Sequence, residues 1–180
     1  RDYLSTVLDN ISRAVAQGFE VKINTVIMRG INDHELFDFV EYARKLSITV
    51  RFLELMRIGY ANPLYPKHFI SSQECITKLQ TRYRLHKVST ACDSTAFYFL
   101  VDGEVNVGFI ASESQPFCGS CSRWRLSSDG RLFACLFTEE GLSIRHLSPE
   151  QRSYIYQQLL DMKPMQRAEK VFHPMYSLGG

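Results

Sequence analysis

Three cysteines cluster in the stretch FCGSCSRWRLSSDGRLFACLF, which runs from Phe117 to Phe137. Cys118 and Cys121 are separated by two residues, a spacing that lets one turn of chain point both sulfurs at a single metal centre. Cys135 follows after thirteen further residues, once an Asp129-Gly130 turn has brought the chain back. Three thiolates suit two kinds of site. One is a zinc centre with a fourth ligand from elsewhere, such as His146 or His173. The other is an iron–sulfur cluster held by three cysteines, with one iron left open to a ligand.

Two arginines follow the second cysteine. Arg123 and Arg125 alternate on a short segment expected to be extended, so both can face one side. A guanidinium is a planar fork that makes paired, charge-assisted bonds to phosphate oxygens. Two of them beside a metal with an open position suggest an anionic ligand held against it. The competing reading pairs them with Asp129, Glu139 or Glu140. Trp124, between them, should point away from the arginine face and towards a core. Cys75 falls in an expected helix and Cys92 in a loop, and both read as ordinary packing thiols.

The elements that must position these groups follow from hydrophobic periodicity. Leu4, Val7, Leu8, Ile11, Ala14 and Val15 recur at helical spacing before Gly18. Residues 21–27 and 49–55 read as strands, with an amphipathic helix from Leu36 to Leu46 between them. Asn32 and Glu35 read as the capping pair of that helix. Alternating helices and strands with short connections predict right-handed crossovers and a parallel sheet. Beyond Gly59 the pattern changes. Asn62-Pro63 and Tyr65-Pro66 mark a loop, and Ser71 with Glu74 caps a helix running to about Tyr83. Asp102-Gly103 signals a type I′ hairpin between residues 96–101 and 104–110, and Ser148-Pro149 opens a last helix.

The totals exclude some functions. With 21 basic against 19 acidic residues the net charge is +2, which argues against a general nucleic-acid binder. No apolar run approaches a membrane span, so no membrane role is expected. Five cysteines, three of them clustered, fit metal-bound thiolates in a reduced cytoplasmic setting better than a secreted disulfide framework.

The cysteine stretch resembles the C-terminal cluster motif of the GTP 3′,8-cyclase family, radical S-adenosylmethionine enzymes of molybdenum cofactor biosynthesis. VKINTVIMRGIND (Val21–Asp33) and VRFLELM (Val50–Met56) are similar to the family's later barrel strands, and MYSLGG (Met175–Gly180) to its double-glycine tail. The four motifs occur in the family's order across essentially the whole chain.

The resemblance implies an α/β fold: the C-terminal portion of an incomplete TIM-type barrel over residues 1–58, then a small α+β cluster-binding domain over 59–180. It implies a 4Fe–4S cluster on Cys118, Cys121 and Cys135 whose open iron takes the guanine of GTP, so that the substrate itself is the fourth ligand. Arg123 and Arg125 would hold the triphosphate, with Arg51 and Lys22 as further substrate contacts. Met56 and Asn24 would lie beside S-adenosylmethionine, and Gly179 and Gly180 would thread to the active site as catalytic residues. In the family a 5′-deoxyadenosyl radical takes hydrogen from the ribose C3′, and the carbon radical closes onto C8 of the base. The product passes to a cyclic pyranopterin monophosphate synthase, and the family tends to homodimers. The family's other cluster, which cleaves S-adenosylmethionine, needs C-x3-C-x2-C, a spacing that does not occur in this sequence. The expectation is therefore a chain matching the C-terminal half of the enzyme, with that cluster bound outside it. A zinc-stabilised nucleotide- or protein-binding module is the alternative.

Overall fold

A computed structural model describes residues 3–167, 169, 171, 172, 174 and 175. In chain order the elements are α1 (Leu4–Ala16), β1 (Lys22–Ile27), α2 (Leu36–Leu46), β2 (Thr49–Glu54), α3 (Tyr65–His68), α4 (Ser72–Gln80), β3 (Leu85–Val88), β4 (Phe97–Val101), β5 (Val105–Ile110), β6 (Arg125–Leu126), β7 (Arg131–Phe133), β8 (Gly141–Ser143) and α5 (Pro149–Asp161). The chain divides into two compact units. One comprises Arg1–Leu55 with His68–Ser114, the other Met56–Lys67 with Gln115–Gly180. This division differs from residues 1–58 and 59–180, because β5 pairs along β2 and carries the hairpin into the first unit.

The first unit is a five-stranded mixed sheet in the order β1-β2-β5-β4-β3. The β1–β2 pair is parallel as expected, β2–β5 is also parallel, and the hairpin and β3 run antiparallel. The α/β class holds, with a mixed rather than wholly parallel sheet. Val50 and Phe52 of β2 meet Val107 and Phe109 of β5, and Leu36, Val40 and Ala43 of α2 pack with them in one apolar core. The hairpin turn is of the expected kind: Asp102 and Gly103 have φ of 51° and 80°, the two left-handed positions that a type I′ turn requires.

Local signals at helix starts fare unevenly. Ser71 and Glu74 form a complete capping box at α4, and Ser148 and Gln151 another at α5. Asn32 is not a cap. Its amide reaches back, accepting from the Met28 N–H at 2.8 Å and donating to the Val26 carbonyl at 3.0 Å. A 3-10 turn, Asp33–Glu35, then leads into α2. Asn32 thus closes the loop after β1, a competing local bond open to any Asn.

The second unit holds the three-stranded antiparallel sheet β6-β7-β8 around the Asp129-Gly130 turn. Leu159 of α5, fully buried, packs on Leu132 and Ala134 with Trp124, Ile155 and Met162 around them. No helix among the described residues is long and apolar enough to cross a membrane.

Candidate functional site

In the second unit, Cys118 opens a 3-10 turn, Cys118–Ser120, and the Cys121 N–H donates back to the Cys118 carbonyl at 3.2 Å. That local turn sets the two sulfurs on one limb of chain. Cys135 lies on the other limb, two residues past β7. Burial pushes the Cys118 thiol up, and Cys135 and Cys121 push it further. Burial also opposes ionisation of Cys121, but the Arg123 N–H and guanidinium, together with the charge of Lys163, bring it down. Two sulfurs already accept N–H donors: Arg123 Nη2 lies 3.4 Å from Cys121 Sγ, and the Phe137 N–H lies 3.4 Å from Cys135 Sγ. Hydrogen bonds of this kind stabilise metal-bound thiolates.

The donor chemistry therefore fits a thiolate-held metal, although the sulfurs do not close around an ion as they stand. Among the described residues, no three or more His, Cys, Asp or Glu side chains form a metal-holding group. His146 thus does not complete a set with the cysteines, and His173 lies outside the described residues.

Arg125 opens β6 and Arg123 precedes it, both half-buried. Arg123 lies over the Phe117 ring, 5.2 Å from its centroid, which holds the guanidinium beside the cysteine turn. The Arg125 Nε is buried without a hydrogen-bond partner among the described residues. No ion pair joins either arginine to Asp129, Glu139 or Glu140 among the described residues. Asp129 instead accepts from the Ser127 hydroxyl. Trp124 packs inward as expected, stacked on Tyr156 at 5.5 Å between centroids.

The remaining expected residues sit elsewhere. In the first unit, Asn24 and Arg51 are register partners on β1 and β2, and the Arg51 Nε donates to Asn24 Oδ1 at 2.7 Å. Lys22 does not join them. It pairs with Glu20 at 2.7 Å on the surface. Met56 belongs to the second unit, half-buried, with its carbonyl accepting from the Ile58 N–H at 2.9 Å. Gly179 and Gly180 lie outside the described residues. Cys75 is buried in the first core as expected, but Cys92 is exposed on a loop and is no packing thiol.

Sequence reading missed two charged groups. Glu54, 3% exposed, ends β2 on its core-facing side. It accepts from the N–H groups of Ser72, Glu113 and Ser114 at 2.7–2.8 Å and from the Ser114 hydroxyl. Strand alternation carries that signal, since Val50, Phe52 and Glu54 share one face. Lys163, which donates to backbone carbonyls in the cysteine limbs, has no local signature.

The cysteine stretch lies within a match to known proteins. The sequence model of the family described as Molybdenum Cofactor Synthesis C matches residues 48–170. A protein of Synechocystis sp. named GTP 3′,8-cyclase is 52% identical over 180 residues, covering all of this chain and 55% of that protein. Proteins of the same name from Clostridium botulinum and Aquifex aeolicus are 37% and 32% identical, each covering 98% of this chain and 58% and 57% of their own length. The chain thus spans little more than half the length of these curated relatives. The likeness to GTP 3′,8-cyclases drawn from the sequence motifs is borne out. Since the family match takes in Cys118, Cys121, Cys135 and both arginines, the chain belongs to the Molybdenum Cofactor Synthesis C family.

Proposed function

We propose that this chain is the substrate-side part of a GTP 3′,8-cyclase, the enzyme that converts GTP to 3′,8-cyclo-7,8-dihydro-GTP at the first step of molybdenum cofactor biosynthesis. In this reading β1 and β2 are later strands of the family's partial TIM-type barrel, and Cys118, Cys121 and Cys135 hold a 4Fe–4S cluster. When bound, such a cluster supplies an iron with one coordination position open to an atom of the substrate. S-adenosylmethionine and its own cluster belong to a part of the enzyme outside these residues, with Met56 and Asn24 on the cofactor side. Gly179 and Gly180 form the tail that reaches the active site.

The chain's own residues supply binding and charge. Arg123 and Arg125 neutralise the triphosphate, and Arg51 and Lys22 contribute on the sheet. The observation that carries this reading is a pair of half-buried guanidiniums on the limb of Cys121, Arg123 within 3.4 Å of its Sγ, with no carboxylate paired to either among the described residues. A buried donor with no partner among the described residues, such as the Arg125 Nε, costs about 1–3 kcal/mol, which an anionic oxygen would offset. With no C-x3-C-x2-C spacing, these 180 residues alone bind substrate without cyclising it.

The test is anaerobic reconstitution with iron and sulfide, followed by electron paramagnetic resonance of the reduced protein with and without GTP. A cluster signal that shifts on adding GTP is expected. Tight zinc binding with no iron uptake would replace this reading with a zinc-stabilised binding module.

A further inference from the structure

The β6–β7 ladder stops at the pair Arg125↔Phe133. Continued two residues, its register sets Trp124 opposite Ala134 and Arg123 opposite Cys135, where the chains carry the cysteines. Beyond the last ladder bond nothing in a bare hairpin keeps its limbs together. Here Lys163 does so. Its Nζ donates to the Arg123 carbonyl at 2.7 Å and to the Ala134 carbonyl at 3.0 Å, one on each limb. Arg123 is two residues past Cys121, and Ala134 immediately precedes Cys135.

The ammonium is delivered from a fixed anchor. Lys163 lies just past the end of α5, and its N–H donates to the Leu160 carbonyl at 3.2 Å. α5 is held by Leu159, fully buried on Leu132 and Ala134, and by Tyr156 stacked on Trp124. The helix that packs on the hairpin thus also sets the lysine across its open end. Charge-assisted N–H···O bonds are roughly twice as strong as neutral ones, so one ammonium can do what two missing ladder bonds would.

We propose that Lys163 is a positioning residue for the cysteine site, tying the limb of Cys118 and Cys121 to the limb of Cys135 so that all three sulfurs engage one metal. This rests on reading the three cysteines as a single metal site. The experiment uses the whole chain, reduced and metal-free, titrated anaerobically with Co²⁺, whose thiolate charge-transfer absorption grows with the number of bound sulfurs. Lys163→Met removes the ammonium at similar length, and Lys163→Arg restores a cation with hydrogen-bond donors. Circular dichroism and Trp124 fluorescence report whether the α5 packing persists.

Lys163→Met should bind Co²⁺ about tenfold more weakly, the lower end of what losing an outer-layer partner of a metal ligand costs, and with a smaller charge-transfer band. Lys163→Arg should recover most of both. Unchanged affinity and band intensity in a folded Lys163→Met protein would overturn the inference and leave the metal site standing. If Lys163→Met does not fold, Lys163→Gln is judged by the same two quantities. Absence of any thiolate–cobalt band in the unsubstituted chain would instead overturn the reading of the cysteines, and the role of Lys163 with it.

Discussion

The Arg51 guanidinium is oriented by Asn24, whose Oδ1 accepts from the Arg51 Nε at 2.7 Å between directly opposed residues of β1 and β2. Parallel register places the two side chains on one face, and the amide fixes one edge of the guanidinium. Asn24→Ala should leave the fold nearly unchanged, because an exposed hydrogen bond adds no more than about 1 kcal/mol. In an equilibrium titration GTP should bind several-fold more weakly. Unchanged affinity would show that Arg51 needs no such guide.

Gly108 is the other neighbour of Arg51. It stands opposite Arg51 on one side and Tyr98 on the other. A Cβ there would come within 2.9 Å of Arg51 Cγ and 2.7 Å of Tyr98 Cε1. Gly108→Ala should therefore displace both side chains and cost about 1–3 kcal/mol, the usual range for overpacking. Chemical denaturation gives the stability term. A GTP titration on the same protein shows whether Arg51 has moved, since weakening beyond that of Asn24→Ala is expected.

Glu54 makes a sharper case because its carboxylate is enclosed. Four donors converge on it from the start of α4 and from Glu113 and Ser114. Glu54→Gln keeps the shape but turns an NH₂ towards N–H groups, leaving donors unsatisfied. The expected loss is about 2–4 kcal/mol, read as a lower urea midpoint at unchanged slope. A shift below about 0.5 kcal/mol, typical of surface changes, would mean that the donors find other partners.

Some of this was legible in the sequence. The capping box of Ser71 and Glu74, the Asp102-Gly103 turn and the inward Trp124 depend on residues a few positions apart, where local chemistry decides. The parallel pairing of β5 with β2 depends on a register between residues over fifty positions apart, and nothing local specifies it. β3 escaped notice because His86, Lys87 and Val88 are all exposed and show no alternation. Glu54 was visible as a charge on the core-facing side of a strand. Lys163 was not, since its partners are carbonyls that any sequence would offer. Asn32 misled because one amide serves equally well as a cap or as a backward clasp.

Acid should test the Arg29–Glu74 pair. The Arg29 guanidinium at 2.6 Å, then the Ser71 N–H, hold the Glu74 carboxyl at about 2, against an ordinary 4.5. A carboxyl lowered in the folded state stabilises fully above its unfolded value and loses that contribution as pH falls towards the folded one. The loss therefore runs from about 4.5 down to about 2. Both side chains are about half exposed, so solvent screening keeps the stabilisation near 1 kcal/mol or less. Glu74→Gln should flatten the acid limb of a stability–pH curve in that window and leave its neutral limb parallel to that of the unsubstituted protein. A curve that keeps its full acid slope would assign the slope to other carboxyls.

The cysteines should separate by reactivity in the metal-free protein. The thiolate is the nucleophile, so labelling follows ionisation and access together. Cys75 is 3% exposed, and burial, then Glu74 and Glu54, push its thiol up to about 12. Cys92 is exposed, and Cys121 is lowered despite partial burial. Cys118 is raised by burial and by its two neighbours. Iodoacetamide near neutral pH should therefore modify Cys92 and Cys121 first, Cys118 more slowly, and Cys75 only once urea unfolds the first unit. Peptide mass spectrometry over time reads the order directly. Native labelling of Cys75 as fast as Cys92 would mean that the core around α4 opens far more readily than its packing implies. Protection of Cys121 on adding Co²⁺, with Cys92 unaffected, would tie the lowered thiol to the metal site.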